Sequence, residues 1–163
     1  MSTTQWLSLD EQRAWRGLLE STRLLFDALD RQLTADSSMA TGYYEILVNL
    51  SEAPGRSTRM GDLAQRTRSS RSRLSHAVDR LEERGWIERG ECPTDRRGQT
   101  ATLTEAGYAA LVAAAPGHVR AVREHVIDRL TPEQVGQLEQ ITTAIMAGLE
   151  PCKRAAAVEE CGE

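Results

Sequence analysis

Two short bursts of helical periodicity, separated by a gap of three residues, constrain this chain more than any other feature. Met60, Leu63 and Ala64 give one buried side to a helix of about two turns. Leu74, Ala77, Val78 and Leu81 then fall at i, i+3, i+4 and i+7, the spacing that commits one stripe of a second helix to a core. Only residues 67–69 separate the two. Ser70 stands where a hydroxyl accepts from a free amide of the first turn, and Gly85 where a left-handed residue closes the helix. Two short helices joined by so tight a turn form a helix-turn-helix.

The outward face of the second helix follows by subtraction. Arg71, Ser72, Ser75, His76 and Asp79 point away from the apolar stripe, with Arg73 and Arg80 flanking; most of these side chains reach phosphates and base edges. A charged face is also what any solvated helix shows. The local imbalance favours a polyanion: Arg66, Arg68, Arg71 and Arg73 lie within eight residues with no acid among them, and phosphate relieves that self-repulsion. The whole chain carries a net charge of −4, which alone does not suggest nucleic acid. Between Arg56 and Gln99, however, eleven Arg stand against seven acidic residues. That segment is +4 and the remainder −8, a basic module inside an acidic frame.

Downstream, residues 86–89 and 99–103 read as short strands separated by a polar, basic loop at 92–98. This is a hairpin, and a hairpin after the recognition helix makes a winged helix. Arg96 and Arg97 at its tip suit a minor groove, whose narrow A·T tracts concentrate negative potential. Asp95 reads as an internal brace for an arginine. Arg68, at the helix-helix turn, and Ser70 complete the expected DNA-contacting set.

The run Asp62-Leu63-Ala64, the helix from Ser70, the segment Leu81-Glu82-Glu83-Arg84-Gly85-Trp86-Ile87-Glu88-Arg89, Asp95-Arg96-Arg97 and Leu103-Thr104-Glu105-Ala106-Gly107 together resemble the MarR family of bacterial transcriptional regulators. The resemblance implies a mainly helical fold with a small β-hairpin wing. It implies a homodimer that binds double-stranded DNA at a near-palindromic operator, usually as a repressor relieved by a small ligand or by oxidation.

The flanks supply an association region. Residues 8–33 form an amphipathic helix with apolar Trp15, Leu18, Leu19, Leu25, Phe26, Leu29 and Leu33. Ser37, Ser38 and Gly42 mark a break before a shorter apolar helix that ends ahead of Pro54. Thr104 caps a long helix in which Pro116-Gly117 is expected to cause a kink or a split. Thr131-Pro132 opens a last helix carrying Leu138, Ile141, Ile145 and Leu149. The expected organisation is dimerisation helix 1–36, winged helix-turn-helix 37–104, dimerisation helices 105–150 and a mobile tail at 151–163.

Similar proteins hold an aromatic ligand in a cleft beside the winged domain, for which Trp15, Tyr43, Tyr44 and Trp86 are the candidates here, against the blander reading of core packing. Cys92 lies near several arginines that lower a thiol pKa, so redox response stays open, while Cys152 and Cys161 fall in the tail. His118 and His125 leave zinc response open, though no four-ligand set is visible. No cofactor is expected. No phosphate loop, metalloprotease signature or nucleophile elbow appears, which argues against an enzyme; a winged helix used only for protein interaction is the remaining alternative. The three cysteines fit no disulfide or zinc-finger spacing, and neither a membrane span nor a signal peptide is apparent, so the expected location is the cytoplasm.

Overall fold

The computed structural model of this chain describes residues 4–92 and 95–149, and at Cys92, Asp95, Arg96 and Arg97 the backbone only. The expected tail and its two cysteines lie outside the described residues. The chain divides into two units, residues 1–122 and 123–163.

In the first unit, α1 (Leu9–Ser37) starts at a capping box. The Glu11 amide donates to Ser8 Oγ and the Ser8 amide to Glu11 Oε2 at 2.6 Å, satisfying two of the free donors of the first turn. The helix runs one turn beyond the expected residue 33. Gln32 donates to Asp36 Oδ2 at 2.9 Å and Ser37 Oγ to the Leu33 carbonyl, so polar side chains carry the last turn. It stops at Ser38, whose left-handed φ of 53° breaks the hydrogen-bond ladder. Of the expected break residues, Gly42 instead lies inside α2 (Thr41–Ser51).

The core collects Leu33, Met39, Ile46, Leu47 and Leu50 against Leu63, Leu74, Val78 and Leu81. Met39 lies in the link between α1 and α2, and the others come from α1, α2, α3 (Met60–Arg66) and α4 (Arg71–Glu83), so the helix-turn-helix sits directly on α2. β2 (Ile87–Cys92) and β3 (Asp95–Leu103) form the wing. A third strand, β1 (Ser57–Arg59), pairs antiparallel with β3 through Ser57↔Thr102, giving the order β1-β3-β2. It escaped the sequence reading because three polar residues have no alternation to detect.

The wing also departs from the expected loop at 92–98. Pairing continues through Cys92↔Asp95 after an irregularity at Glu91/Cys92, so Arg96 and Arg97 lie on β3 rather than in the turn. Ladder bonds are made by the backbone and need no apolar side chains.

At the wing base Thr104 both accepts and donates. Its hydroxyl accepts from the Gly107 amide at 3.0 Å and donates to the Gly85 carbonyl at 2.7 Å. A Cβ on Gly107 would stand 2.2 Å from the Trp86 carbonyl oxygen, which is why this turn of α5 (Glu105–His125) takes glycine. α5 continues unbroken through Pro116, against the expected split. Only one helical amide is lost there, and Ala113, Ala114 and Ala115 before it are strong helix formers. Gly117 lets the helix approach α1: a Cβ there would meet Gln32 Nε2 at 2.9 Å and Asp36 Oδ2 at 3.0 Å.

The second unit comprises the end of α5, a 3-10 turn at Ile127–Arg129 and α6 (Pro132–Leu149). Thr131 and Gln134 form a reciprocal cap, amide to Oε1 at 2.9 Å and amide to Oγ1 at 3.3 Å. No residue of α6 is buried.

Candidate nucleic-acid interface

α4 is positioned from both ends. Ser70 accepts from the Arg73 amide at 3.2 Å, and the helix closes at Arg84 before Gly85, whose φ is 70°. Its buried side is Leu74, Val78 and Leu81, as the spacing required. Arg71, Ser72, Arg73, His76 and Arg80 are exposed and Ser75 is half-buried. The turn into α4 is held by Thr67, whose Oγ1 donates to the Leu63 carbonyl at 2.9 Å, while Arg68 adopts a left-handed φ of 48° and projects from the turn.

The exposed set is not uniform in charge. Arg80 is engaged by Glu83 at 2.9 Å, and this contact raises its pKa above the ordinary arginine value. His76 Nδ1 lies 4.0 Å from Asp79. The amino-terminal part of the helix keeps Arg71 and Arg73 as its cations. An open depression of about 800 Å³ runs between this end of α4, the start of α3 and β3, lined by Arg59, Asp62, Arg71, Ser72, Gly98 and Gln99 among others. It joins the recognition helix to the wing, and Arg59, Gly98 and Gln99 were not singled out in the sequence.

The expected brace Asp95 has its side chain outside the described residues, as have Arg96, Arg97 and Cys92. A different brace is present. Arg89 on β2 contacts the Asp79 carboxylate, donates to the Ser75 carbonyl at 3.0 Å and lies 3.3 Å from Glu82 Oε2. This guanidinium fixes the wing to the outer edge of the recognition helix. A signal for it existed: Arg89 shares a strand face with buried Ile87, and a charge on an inward face requires partners. Arg84 makes a second tie, donating to the Ser38 carbonyl at 2.9 Å while lying 5.6 Å from the Tyr43 ring centre and 5.0 Å from that of Trp86.

The four aromatic candidates for a ligand cleft do not share one site. Tyr43 and Trp86 meet around Arg84, and Trp15 stands half-exposed on the first half of α1. Tyr44 turns the other way into a separate cavity of about 320 Å³, formed by Phe26 and Leu29 of α1, Thr41, Glu45 and Val48 of α2, and His118 of α5. The Tyr44 and His118 rings lie 4.4 Å apart. Burial raises the Tyr44 and Glu45 pKa values and lowers that of His118. Among the described residues no group of three or more His, Cys, Asp or Glu is placed to hold a metal ion, and no helix is long and apolar enough to cross a membrane.

Known proteins share this arrangement. A MarR family model matches residues 38–98, the span from the end of α1 into the wing. The transcriptional repressor MprA of Escherichia coli K12 is 32% identical over 114 residues, 70% of this chain and 64% of that protein, so the chain spans less than two thirds of this relative. Two solved Streptomyces coelicolor structures match far more completely. AbsC, a MarR family transcriptional regulator, is 44% identical with a TM-score of 0.84, over 90% of this chain and 98% of its own. Sco3205, a MarR family transcriptional regulator crystallised in complex with DNA, is 50% identical with a TM-score of 0.89, over 93% of this chain and 95% of its own. With half its residues shared with such a regulator along nearly its whole length, this chain belongs to the MarR family of transcriptional regulators.

Proposed function

We propose that this regulator binds double-stranded DNA as a homodimer at a two-fold symmetric operator and acts as an effector-responsive repressor. The observation that carries the DNA reading is the acid-free basic end of α4, Arg71 and Arg73 beside exposed Ser72, opening onto the depression that leads to the wing. The related Sco3205 was solved with DNA. In this reading α4 enters the major groove, with Arg71, Ser72, Arg73, Ser75 and His76 at phosphates and base edges, and Arg96 and Arg97 on β3 reach the flanking minor groove.

The dimer reading rests on unspent apolar surface. Trp15, Leu18, Leu24 and Phe26 on α1 are exposed. Independently, α6 exposes Leu138, Ile141, Ile145, Met146 and Leu149 and buries nothing. Apolar surface on this scale marks a partner, and a second copy supplies matching helices. Two-fold symmetry then places half-sites about one helical turn apart. An effector entering the Tyr44 cavity changes the spacing of the recognition helices, which takes only a few kcal/mol of differential affinity.

Fluorescence anisotropy with a symmetric duplex at several salt concentrations tests the reading, with sedimentation run alongside. Arg71→Ala, and the pair Arg96→Ala and Arg97→Ala, are expected to reduce the salt slope by about one unit per lost phosphate contact. An unchanged slope removes that element from the interface. Sedimentation at micromolar concentration is expected to give a dimer of the 18.0 kDa chain, and a monomer sinks the symmetric scheme.

A further inference from the structure

We infer that the cavity between α1, α2 and α5 is built for a small lipophilic cation, an amine carried on an aromatic or alkyl body; this rests on the effector-responsive reading above. Its volume of about 320 Å³ stands at the low end of ligand cavities, which run from about 300 to 1,000 Å³, so the occupant is small. Phe26, Leu29 and Val48 give it an apolar wall, and Tyr44 gives it an aromatic ring whose electron-rich face attracts a cation within about 6 Å.

The carboxylate in this lining is Glu45. Glu45 has no ion pair and no side-chain hydrogen bond among the described residues, and no Lys or Arg lines the cavity. The neighbouring carboxylates are engaged elsewhere: Asp30 accepts from the Thr41 amide and Asp36 from Gln32, each at 2.9 Å. Arg120 lies on the Gly117 side, 3.8 Å from where a Cβ on that glycine would stand, and is outside the lining.

An ammonium group brings three donors and one positive charge. Glu45, exposed beside the cavity, offers it one negative charge. A carboxylate ligand would instead face Glu45 with no cation to offset the like-charge repulsion, which acts as selection against acids.

Calorimetry on the full-length chain with three probes of the same body, 2-phenylethylamine, 2-phenylethanol and phenylacetate, tests the inference. The amine is expected to bind at least tenfold more tightly than the alcohol, and phenylacetate most weakly. Glu45→Gln, a substitution at an exposed position whose folding is verified by its thermal melt, is expected to erase the amine's advantage while leaving the alcohol unchanged. Tighter binding of phenylacetate, or an unchanged amine affinity in Glu45→Gln, overturns the inference. So does the absence of binding by all three probes. Amine binding that leaves anisotropy with the duplex unaltered retains the cation site and refutes the effector reading alone.

Discussion

Arg89→Ala tests the brace that sets the wing against the recognition helix. The side chain is 19% exposed, whereas its partners Asp79 and Glu82 are 50% and 45% exposed. A surface ion pair contributes about 0–1 kcal/mol, and breaking a buried one costs about 3–5 kcal/mol. Half-exposed carboxylates are screened by solvent, so the loss belongs between these limits, nearer the lower. The additional bond to the Ser75 carbonyl is charge-assisted, worth roughly 1.5–3 kcal/mol in well-shielded settings. A destabilisation of about 2 kcal/mol follows. With a urea m-value of about 2 kcal/mol/M, the unfolding midpoint drops by about 1 M. Protein concentration must be held constant, because the proposed dimerisation would add to apparent stability. Arg13→Ala is the control: its pair with Asp10 is 79% and 92% exposed, and removing it should shift the midpoint by no more than about 0.3 M. A cycle with Asp79→Ala isolates the pair. If Arg89→Ala moves the midpoint no further than Arg13→Ala does, the brace is ornamental and the argument from inward-facing charge fails.

Two further outcomes are expected. Gly107→Ala drives a Cβ into the Trp86 carbonyl, 2.2 Å away in the unrelaxed backbone, and should cost about 3 kcal/mol or prevent folding; Gly17→Ala, with nothing within 4 Å on exposed α1, should instead gain about 0.5–1 kcal/mol, both read from urea midpoints. For His118, burial depresses the folded-state pKa below the ordinary 6.5. The unfolded chain therefore binds the proton more readily, and stability is whole above 6.5 and declines as pH falls from there toward the folded value. Urea midpoints at pH 7.5 and 5.5 should show this decline, and His118→Asn should remove part of it; an identical pH profile in the variant excludes His118 as the source.

How much of the fold the sequence disclosed depends on how much of each element is buried. α4 was legible because Leu74, Val78 and Leu81 repeat on a face that is wholly buried, and its cap at Ser70 and stop at Gly85 carry specific chemistry. β1 was not legible, because Ser57, Thr58 and Arg59 are specified by pairing with Thr102, Ala101 and Thr100 of β3, far along the chain, rather than by their own pattern. The wing turn was misplaced for a related reason. Alternation marks the half-buried base at Ile87, Ala101 and Leu103 and fades where both faces meet solvent, although the backbone ladder continues. Pro116 misled because its missing amide is visible in the sequence, whereas the packing of Ala114 and Ala121 that holds α5 on either side of it is not.

The candidate site shows a second limit, helical phase. Tyr43 and Tyr44 were grouped by residue type, yet neighbours on a helix of 3.6 residues per turn point about 100° apart. Tyr43 therefore meets Arg84 on the recognition-helix side, and Tyr44 meets His118 in the cavity. One short helix, α2, consequently carries both the cavity wall and the tie to the end of α4. A ligand that shifts α2 to accommodate itself at Tyr44 must also disturb Tyr43, and with it the Arg84 guanidinium that holds the Ser38 carbonyl. The arginines of α4 announce what the protein acts on. In the proposed effector response, the phase of two adjacent tyrosines would supply the physical route by which occupancy of the cavity reaches them.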